Sequence, residues 1–217
     1  SESGAFANLI YSPESYRLSD KLHTDFPWVV DRLSKGHPYD ITTNIFDKLP
    51  DIFRKERLTN EDEVHFYGRY KNERCYRWVK RDYIEYHPNL DKYKVIVPKS
   101  NGSGTIGEVL STPIIGEPLI GVTQTFLTIG AFDTQAEAEA CLKYIKTKFA
   151  RTMLGILKAT QHNPKETWRL VPLQDFTADS DIDWRMSVAD IDRQLYRKYG
   201  LEEKEIAFIE EKVREME

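Results

Sequence analysis

The sequence predicts an α+β fold, with a central twisted, mostly antiparallel sheet packed by a long amphipathic helix and C-terminal helices. Strand patterns lie between residues 63 and 130, and the strongest helical patterns follow residue 134. No regular alternation of strand and helix is present, which argues against a doubly wound parallel sheet. The 217 residues are enough for one sizeable domain or two small ones.

The strand prediction rests on aromatic and β-branched runs. Residues 63–70 and 73–80, joined by a polar turn at Lys71 and Asn72, predict a hairpin. Residues 93–98 and 122–130 predict two further strands, and residues 168–171 a short one. The glycine- and proline-rich segment 100–118 predicts a long ordered loop or a ragged hairpin.

The longest predicted helix begins with a capping box formed by Thr134 and Glu137. Apolar residues then recur at spacings of three and four, which places them on one helical stripe: Leu142, Ile145, Phe149, Met153 and Ile156. Basic residues project from the opposite side: Lys143, Arg151 and Lys158. The same pattern is also explained without any ligand, by a helix that packs one face on the core and exposes its basic face to solvent.

Shorter helical signals lie at both ends of the chain. Residues 26–35, ending before Gly36, and residues 44–55, capped by Asn44, predict two N-terminal helices. Ser187 with Asp190 begins a helix that ends at Gly200, and a last helix follows from residue 203. These signals divide the chain into an N-terminal segment (1–60), an α+β domain (61–176) and a C-terminal helical extension (177–217).

Charge is distributed unevenly along the chain, although the formal net charge is only -4. The segment 143–169 is strongly basic, with Glu166 as its single acid, and residues 69–81 form a second basic cluster. The region after Asp175 is rich in Asp and Glu. One positive face is therefore expected, which would attract phosphate.

Several classes of protein are disfavoured by composition. The sequence has no long apolar run and no secretory signal, so we expect a cytoplasmic protein without a membrane partner. Cys75 and Cys141 are expected to be free, buried thiols. The start Ser-Glu-Ser-Gly, without an initiator Met, suggests a processed product or a piece of a longer protein.

The loop after residue 98 contains a G-x-G-x-x-G pattern at Gly102, Gly104 and Gly107. A dinucleotide site also needs a helix that begins within the loop and an acid about twenty residues later, and neither is predicted. What remains is a loop rich in backbone N–H groups and side-chain donors that can contact nucleic acid. A surface loop whose glycines supply positive φ is the other interpretation.

Catalytic patterns are not recognisable. The five histidines are scattered without metal-ligand spacing, and no G-x-S-x-G elbow is present. The acids near Asp51 and at residues 61–63 are interpreted as solvated turns. We therefore predict no catalytic residue and no metal ligand in this chain.

Six stretches, in order, resemble one family of proteins. They are YKVIVPKSNGSG from Tyr93, TFLTIGAFDT from Thr125, YIKTKF from Tyr144, TQH from Thr160, VPLQDF from Val171 and LYRKYGLEEKEIAFIE from Leu195. They resemble the C-terminal target-recognition (specificity) region of type II, type IIG-like, restriction-modification enzymes that carry an adenine-specific DNA methyltransferase. The TaqI-like specificity domain is a related example.

The resemblance implies sequence-specific recognition of double-stranded DNA on behalf of a separate catalytic domain. That methyltransferase or endonuclease domain, in the same or a partner chain, would flip the target adenine. The resemblance implies no cofactor in this chain, and S-adenosylmethionine, with Mg²⁺ if the parent cleaves, in the full-length enzyme. Whether this chain is itself an enzyme stays open, because it carries no catalytic motif.

The predicted DNA contacts come from the hairpin, the glycine loop, the basic helix and the turn after it. The helix would neutralise phosphates, the loop and the hairpin arginines would read bases, and Gln161 and Asn163 have the geometry to pair with adenine. The full set is Arg69, Arg74, Arg77, Lys94, Lys99, Ser100, Asn101, Gly102, Ser103, Gly104, Thr105, Lys146, Lys148, Arg151, Lys158, Gln161 and Asn163.

Two functions of other classes stay open. One is a nuclease with an unrecognised carboxylate site among residues 40–90. The other is a protein-docking module of the same enzyme, in which the acidic C-terminal helices bind the methyltransferase core. Salt-sensitive DNA binding would separate recognition from docking.

Overall fold

The computed structural model describes residues 4–100, 110, 112–157, 162 and 164–216. The predicted α+β class is confirmed, since helices and mostly antiparallel strands both contribute to the fold. The helices of the described residues are α1 (Asp20–Asp25), α2 (Ile45–Lys48), α3 (Gln135–Lys146), α4 (Lys148–Leu157), α5 (Val188–Lys198) and α6 (Glu203–Lys212). None of them is long and apolar enough to cross a membrane.

The strands form two sheets rather than the single central sheet that we expected. They are β1 (Ile10–Tyr11), β2 (Glu63–Tyr70), β3 (Glu73–Lys80), β4 (Tyr93–Pro98), β5 (Ile114–Gly116), β6 (Ile120–Val122) and β7 (Phe126–Phe132). The four-stranded sheet has the order β1-β7-β4-β5, and the three-stranded sheet the order β3-β2-β6. All pairs are antiparallel except β2 with β6.

The hairpin of β2 and β3 has the predicted limits. Its two-residue turn places Lys71 and Asn72 at φ values of 47° and 68°. A left-handed pair of this kind matches the right-handed twist of the two strands and therefore closes a hairpin tightly. The register runs from Glu63 opposite Lys80 to Tyr70 opposite Glu73.

Strand β4 lies between two hydrophobic cores. Val95 and Val97 face a helical core built with α3 to α6, whereas Ile96 faces a hairpin core built by the N-terminal segment and β2 and β3. Both faces of β4 are buried, so its sequence shows a continuous apolar run in place of alternation. The predicted domain limits stay untested, although residues before 61 contribute to both cores.

The predicted long helix is wrong, because it is two helices that meet at Thr147. Thr147 has ψ of 147° and ends α3, and its hydroxyl donates to Tyr144 O (2.6 Å). The same hydroxyl accepts the Ala150 N–H (3.1 Å), as an N-cap of α4 does. The apolar spacing continues in phase across the break, so periodicity alone could not reveal it.

Three further predictions need correction. No strand forms at 168–171: Trp168 ends a 3-10 turn (Lys165–Trp168) in which the Pro164 carbonyl accepts the Thr167 N–H, and its ring is buried against Phe6. The N-terminal helices are shorter: α1, a 3-10 turn (Pro27–Asp31) and α2 replace them. The strand 122–130 is divided between β6 and β7.

The C-terminal helices agree with the sequence pattern. The Ser187 hydroxyl accepts the Asp190 N–H (3.1 Å) at the start of α5, and Gly200 lies at φ 63° after its end. Ile209 and Val213, on α6 and just beyond it, enter the helical core. Cys141 is a buried free thiol as predicted, whereas Cys75 is only half-buried.

Candidate nucleic-acid interface

A basic groove lies where the hairpin turn meets the end of β4 and the segment before β7. Its volume is about 360 Å³. Arg69, Arg74 and Lys99 supply its charge, and no carboxylate lines it within the described residues. The remaining lining residues are Thr43, Asn72, Pro98, Ser100, Gln124 and Thr125. This basic groove therefore brings two predicted contact regions, the hairpin and the base of the glycine loop, to one place.

Two arginines form the hairpin wall of the basic groove. Arg69 and Arg74 are directly opposite each other in the β2–β3 register. Like charges at opposed positions destabilise a sheet, and neither arginine has an ion pair in the described part of the chain. An anion bound between them would remove this repulsion.

Local contacts hold both guanidinium groups in place. Arg69 Nη2 donates to Asn72 O (3.1 Å), which ties the side chain to the turn. The Arg74 guanidinium lies 5.5 Å from the centre of the Phe126 ring, a cation–π distance. Each arginine still has donors that these contacts do not use.

Phe126 is one end of an aromatic ladder on this face of the hairpin. Phe126 stacks on Tyr67 (4.5 Å between ring centres), and Tyr67 stacks on Tyr76 (4.6 Å). Beyond them, His65 stacks on Trp78 at 3.9 Å and 6°. The ladder gives Arg74 a rigid support, and burial within it lowers the pKa of His65.

The opposite wall of the groove is the end of β4. Lys99 is half-buried, and its backbone N–H donates to Thr125 O (3.0 Å). Ser100 is exposed, and its Oγ lies 3.0 Å from His162 Nδ1. Both residues were predicted as DNA contacts, and both line the groove.

Arg77 does not belong to the basic groove, contrary to the prediction that groups it with Arg69 and Arg74. In strand β3 it alternates with Arg74, so it projects from the other face, opposite Phe66. Its guanidinium lies 4.9 Å from the Tyr70 ring centre, and Nη1 donates to Tyr76 O (3.1 Å).

Lys94 cannot reach a DNA backbone, because its side chain is fully buried. Its Nζ donates to three backbone carbonyls, of Leu90 (3.2 Å), Glu117 (3.2 Å) and Ile120 (2.7 Å). Burial lowers the pKa of Lys94 to about 7. The residue ties the segment before β4 to the connection between β5 and β6, so its role is structural.

The basic side chains of α4 are also directed into the protein. Lys148 and Arg151 are buried where α4 meets α5 and α6, with exposed fractions of 9% and 2%. Lys148 pairs with Glu210, and Arg151 donates to the carbonyls of Lys146 (3.1 Å) and Arg214. The prediction that an exposed basic face of this helix binds phosphate is therefore wrong for these two side chains.

The backbone N–H groups at the start of α4 are also bonded to other groups of the protein. The Asp192 carboxylate accepts the N–H groups of Lys148 and Phe149, each at 2.9 Å. Burial raises the pKa of Asp192 to about 6. Lys146 is half-buried and lines the same junction, so it does not belong to the basic groove.

The other predicted contacts fall outside the described residues, and their predictions stay untested. They are Asn101, Gly102, Ser103, Gly104, Thr105, Lys158, Gln161 and Asn163.

Four polar residues of the basic groove were not predicted: Thr43, Asn72, Gln124 and Thr125. No local pattern distinguishes them from ordinary turn residues, because the groove unites positions far apart in sequence. The polar turn Lys71-Asn72 between the two strand patterns was the nearest sequence signal for Asn72.

Comparison with known proteins identifies no relative: no family model, no curated protein and no solved structure matches the chain. Within the described residues, no group of three or more His, Cys, Asp or Glu side chains could hold a metal ion.

Proposed function

We propose that this chain is a sequence-specific DNA-recognition domain of a restriction-modification adenine methyltransferase or endonuclease. It would position target DNA for a catalytic domain that binds S-adenosylmethionine, with Mg²⁺ if the parent enzyme cleaves. The observation that carries the proposal is the basic groove, where three cations converge without a carboxylate. The ordered resemblance from Tyr93 to Glu210 supports the choice of partner and enzyme class, and a cytoplasmic location is part of the same proposal.

In this account the basic groove holds one strand of the DNA backbone. Phosphate contacts from Arg69, Arg74 and Lys99 fix the register of the protein on the duplex, and they carry no sequence information themselves. Sequence would be read by groups beside the groove that reach base edges. Ser100, on the rim, connects the groove directly to the segment predicted to read bases.

Selection from a random duplex pool tests the proposal. The protein is incubated with random-sequence duplexes, the bound fraction is amplified through several rounds, and the products are sequenced. We expect one enriched sequence, and Arg74→Ala should retain less DNA in each round without changing that sequence, because a phosphate contact affects all sequences alike. Arg197→Ala, which removes an exposed arginine from α5, is the matched control and should enrich the same sequence while retaining as much DNA as wild type. A pool that stays random with the wild-type protein would contradict sequence-specific recognition.

A protein-docking function is the second candidate, and one surface favours it. Between α4 and α6 lies a cleft lined by Met153, Tyr199 and Phe208, and the Phe208 side chain is 51% exposed. Ile156, at the end of α4, is 55% exposed. Exposed apolar groups near one another are common at protein contacts. A Phe208→Ser variant that binds DNA normally but no longer binds a methyltransferase core would assign this cleft to docking.

A further inference from the structure

We propose that Gln124 completes a site for one phosphate group in the basic groove, as a neutral donor that fixes the position of the anion. The chemical class of the ligand is a phosphate oxyanion. That the phosphate belongs to a DNA backbone rests on the function proposed above, whereas the anion site itself does not.

The first observation is an unsatisfied donor. Gln124 Nε2 is buried and has no hydrogen-bond acceptor. It is one of two such side-chain atoms in the described part of the chain, the other being Trp168 Nε1 in the helical core. Buried donors without an acceptor are rare in native proteins, because each one loses its hydrogen bonds to water without replacement. Nε2 has almost no surface open to water, so the side-chain amide would have to turn before a ligand oxygen in the groove could supply the missing acceptor.

The second observation is that hydrogen bonds hold the backbone around Gln124 in place. Its backbone N–H donates to Ile41 O (2.9 Å), and the neighbouring Thr123 N–H donates to Tyr67 O (3.0 Å). The Phe126 N–H closes the turn on Thr123 O (3.1 Å). The segment is thus fixed to the hairpin core on both sides, so the backbone of Gln124 is placed before any ligand binds and only its side-chain amide has to turn.

The lining of the groove selects an anion. Arg69, Arg74 and Lys99 are cations, and the Thr43, Ser100 and Thr125 hydroxyls can all donate. A phosphate protrudes from a nucleic-acid strand and offers acceptors in several directions, so it can meet donors from several of the lining residues. A base edge in an intact duplex lies within its groove and is read by a side chain that projects into it, whereas Gln124 is half-buried.

Thermal unfolding in phosphate tests the anion site without DNA. The melting temperatures of wild type and Gln124→Met are compared in sodium phosphate and in sodium chloride of equal ionic strength. In chloride we expect the variant to be at least as stable as wild type, because an unsatisfied donor has been replaced by an apolar group of similar shape. In phosphate the wild type should gain more than the variant. Gln135→Met, the same change at an exposed position of α3, should respond to phosphate as wild type does.

Binding to duplex DNA then tests the source of the phosphate. Gln124→Met should weaken binding about tenfold, the effect expected for one hydrogen bond to a charged group. The slope of log affinity against log salt should not change, because no charge is lost. The phosphates of the duplex can also be replaced one at a time by uncharged methylphosphonates. The replacement that most weakens binding by wild type should not weaken binding by the variant.

The outcomes separate the two proposals. An equal response of wild type and Gln124→Met to phosphate overturns the anion site. If phosphate stabilises wild type more than the variant and wild type binds no duplex, the anion site is supported and the DNA function is contradicted. Duplex binding that Gln124→Met leaves unchanged supports the DNA function and overturns the role of Gln124.

Discussion

At the scale of single residues, the cations of this chain divide into two groups that the sequence does not distinguish. Arg69, Arg74 and Lys99 line an open groove without a carboxylate, whereas Lys94, Lys148 and Arg151 are buried and bonded to protein groups. Lys94 lies on the same face of β4 as Ile96, which belongs to the hairpin core. Only the convergence of three carbonyls on its Nζ, from segments distant in sequence, makes that position tolerable for a lysine.

Lys94→Met tests this structural role. Its three carbonyls would lose their common donor, so we expect a loss of roughly 1–3 kcal/mol in the free energy of unfolding at pH 7. The pKa of Lys94 is lowered from 10.5 to about 7, so above pH 7 the unfolded chain retains a proton that the folded chain has lost. Stability of the wild type relative to the variant should therefore rise with pH between about 7 and 10.5.

Urea unfolding of both proteins at pH 7 and pH 9 provides the measurement. A stability difference that does not grow with pH would show that Lys94 stays charged in the folded protein. Lys99→Met, which removes a half-buried lysine from the groove wall, is the control for the loss of one positive charge.

At the scale of elements, the limits of the hairpin and of β4 were predictable, whereas the interruption of the long helix was not. The hairpin and β4 have strong local signals, since a polar two-residue turn and a short apolar run each determine the backbone directly. The break at Thr147 depends on tertiary contacts, because the Asp192 carboxylate from α5 satisfies the first N–H groups of α4. A helix whose basic face is exposed and a helix whose basic face is buried have the same sequence pattern. The burial of Arg151 could therefore not be predicted either.

Arg151→Ala tests whether α4 is structural or binds DNA. The substitution leaves the carbonyls of Lys146 and Arg214 without their donor and opens space at the junction of the helices. We expect a loss of about 2–3 kcal/mol in the free energy of unfolding, measured by urea denaturation. DNA affinity of the folded variant, measured well below its melting temperature, should equal that of wild type.

A contrary result has a clear meaning. If Arg151→Ala keeps its stability and loses DNA affinity, then the guanidinium faces solvent and the original prediction for the basic helix is restored. Arg193→Ala on α5, where an exposed arginine pairs with Asp190, controls for the general loss of one positive charge.

At the scale of the whole molecule, two cores share one sheet, and the basic groove lies where the hairpin meets that sheet. The α+β class followed from the order of strand and helix patterns along the chain. The lining residues of the groove could not be predicted from the sequence pattern. Thr43, Asn72 and Gln124 come from three separate segments that only the tertiary fold brings together. Part of the predicted site, Arg69, Arg74, Lys99 and Ser100, nevertheless converges there.

The salt dependence of DNA binding tests the central claim, that this groove holds a nucleic-acid backbone. Fluorescence anisotropy of a labelled duplex would be measured with wild type and with the double variant Arg69→Ala, Arg74→Ala over a range of salt concentrations. Each lost phosphate contact lowers the slope of log affinity against log salt by about 0.9, so the variant slope should be shallower by about two. Equal slopes and equal affinities in the two proteins would show that the basic groove does not bind DNA.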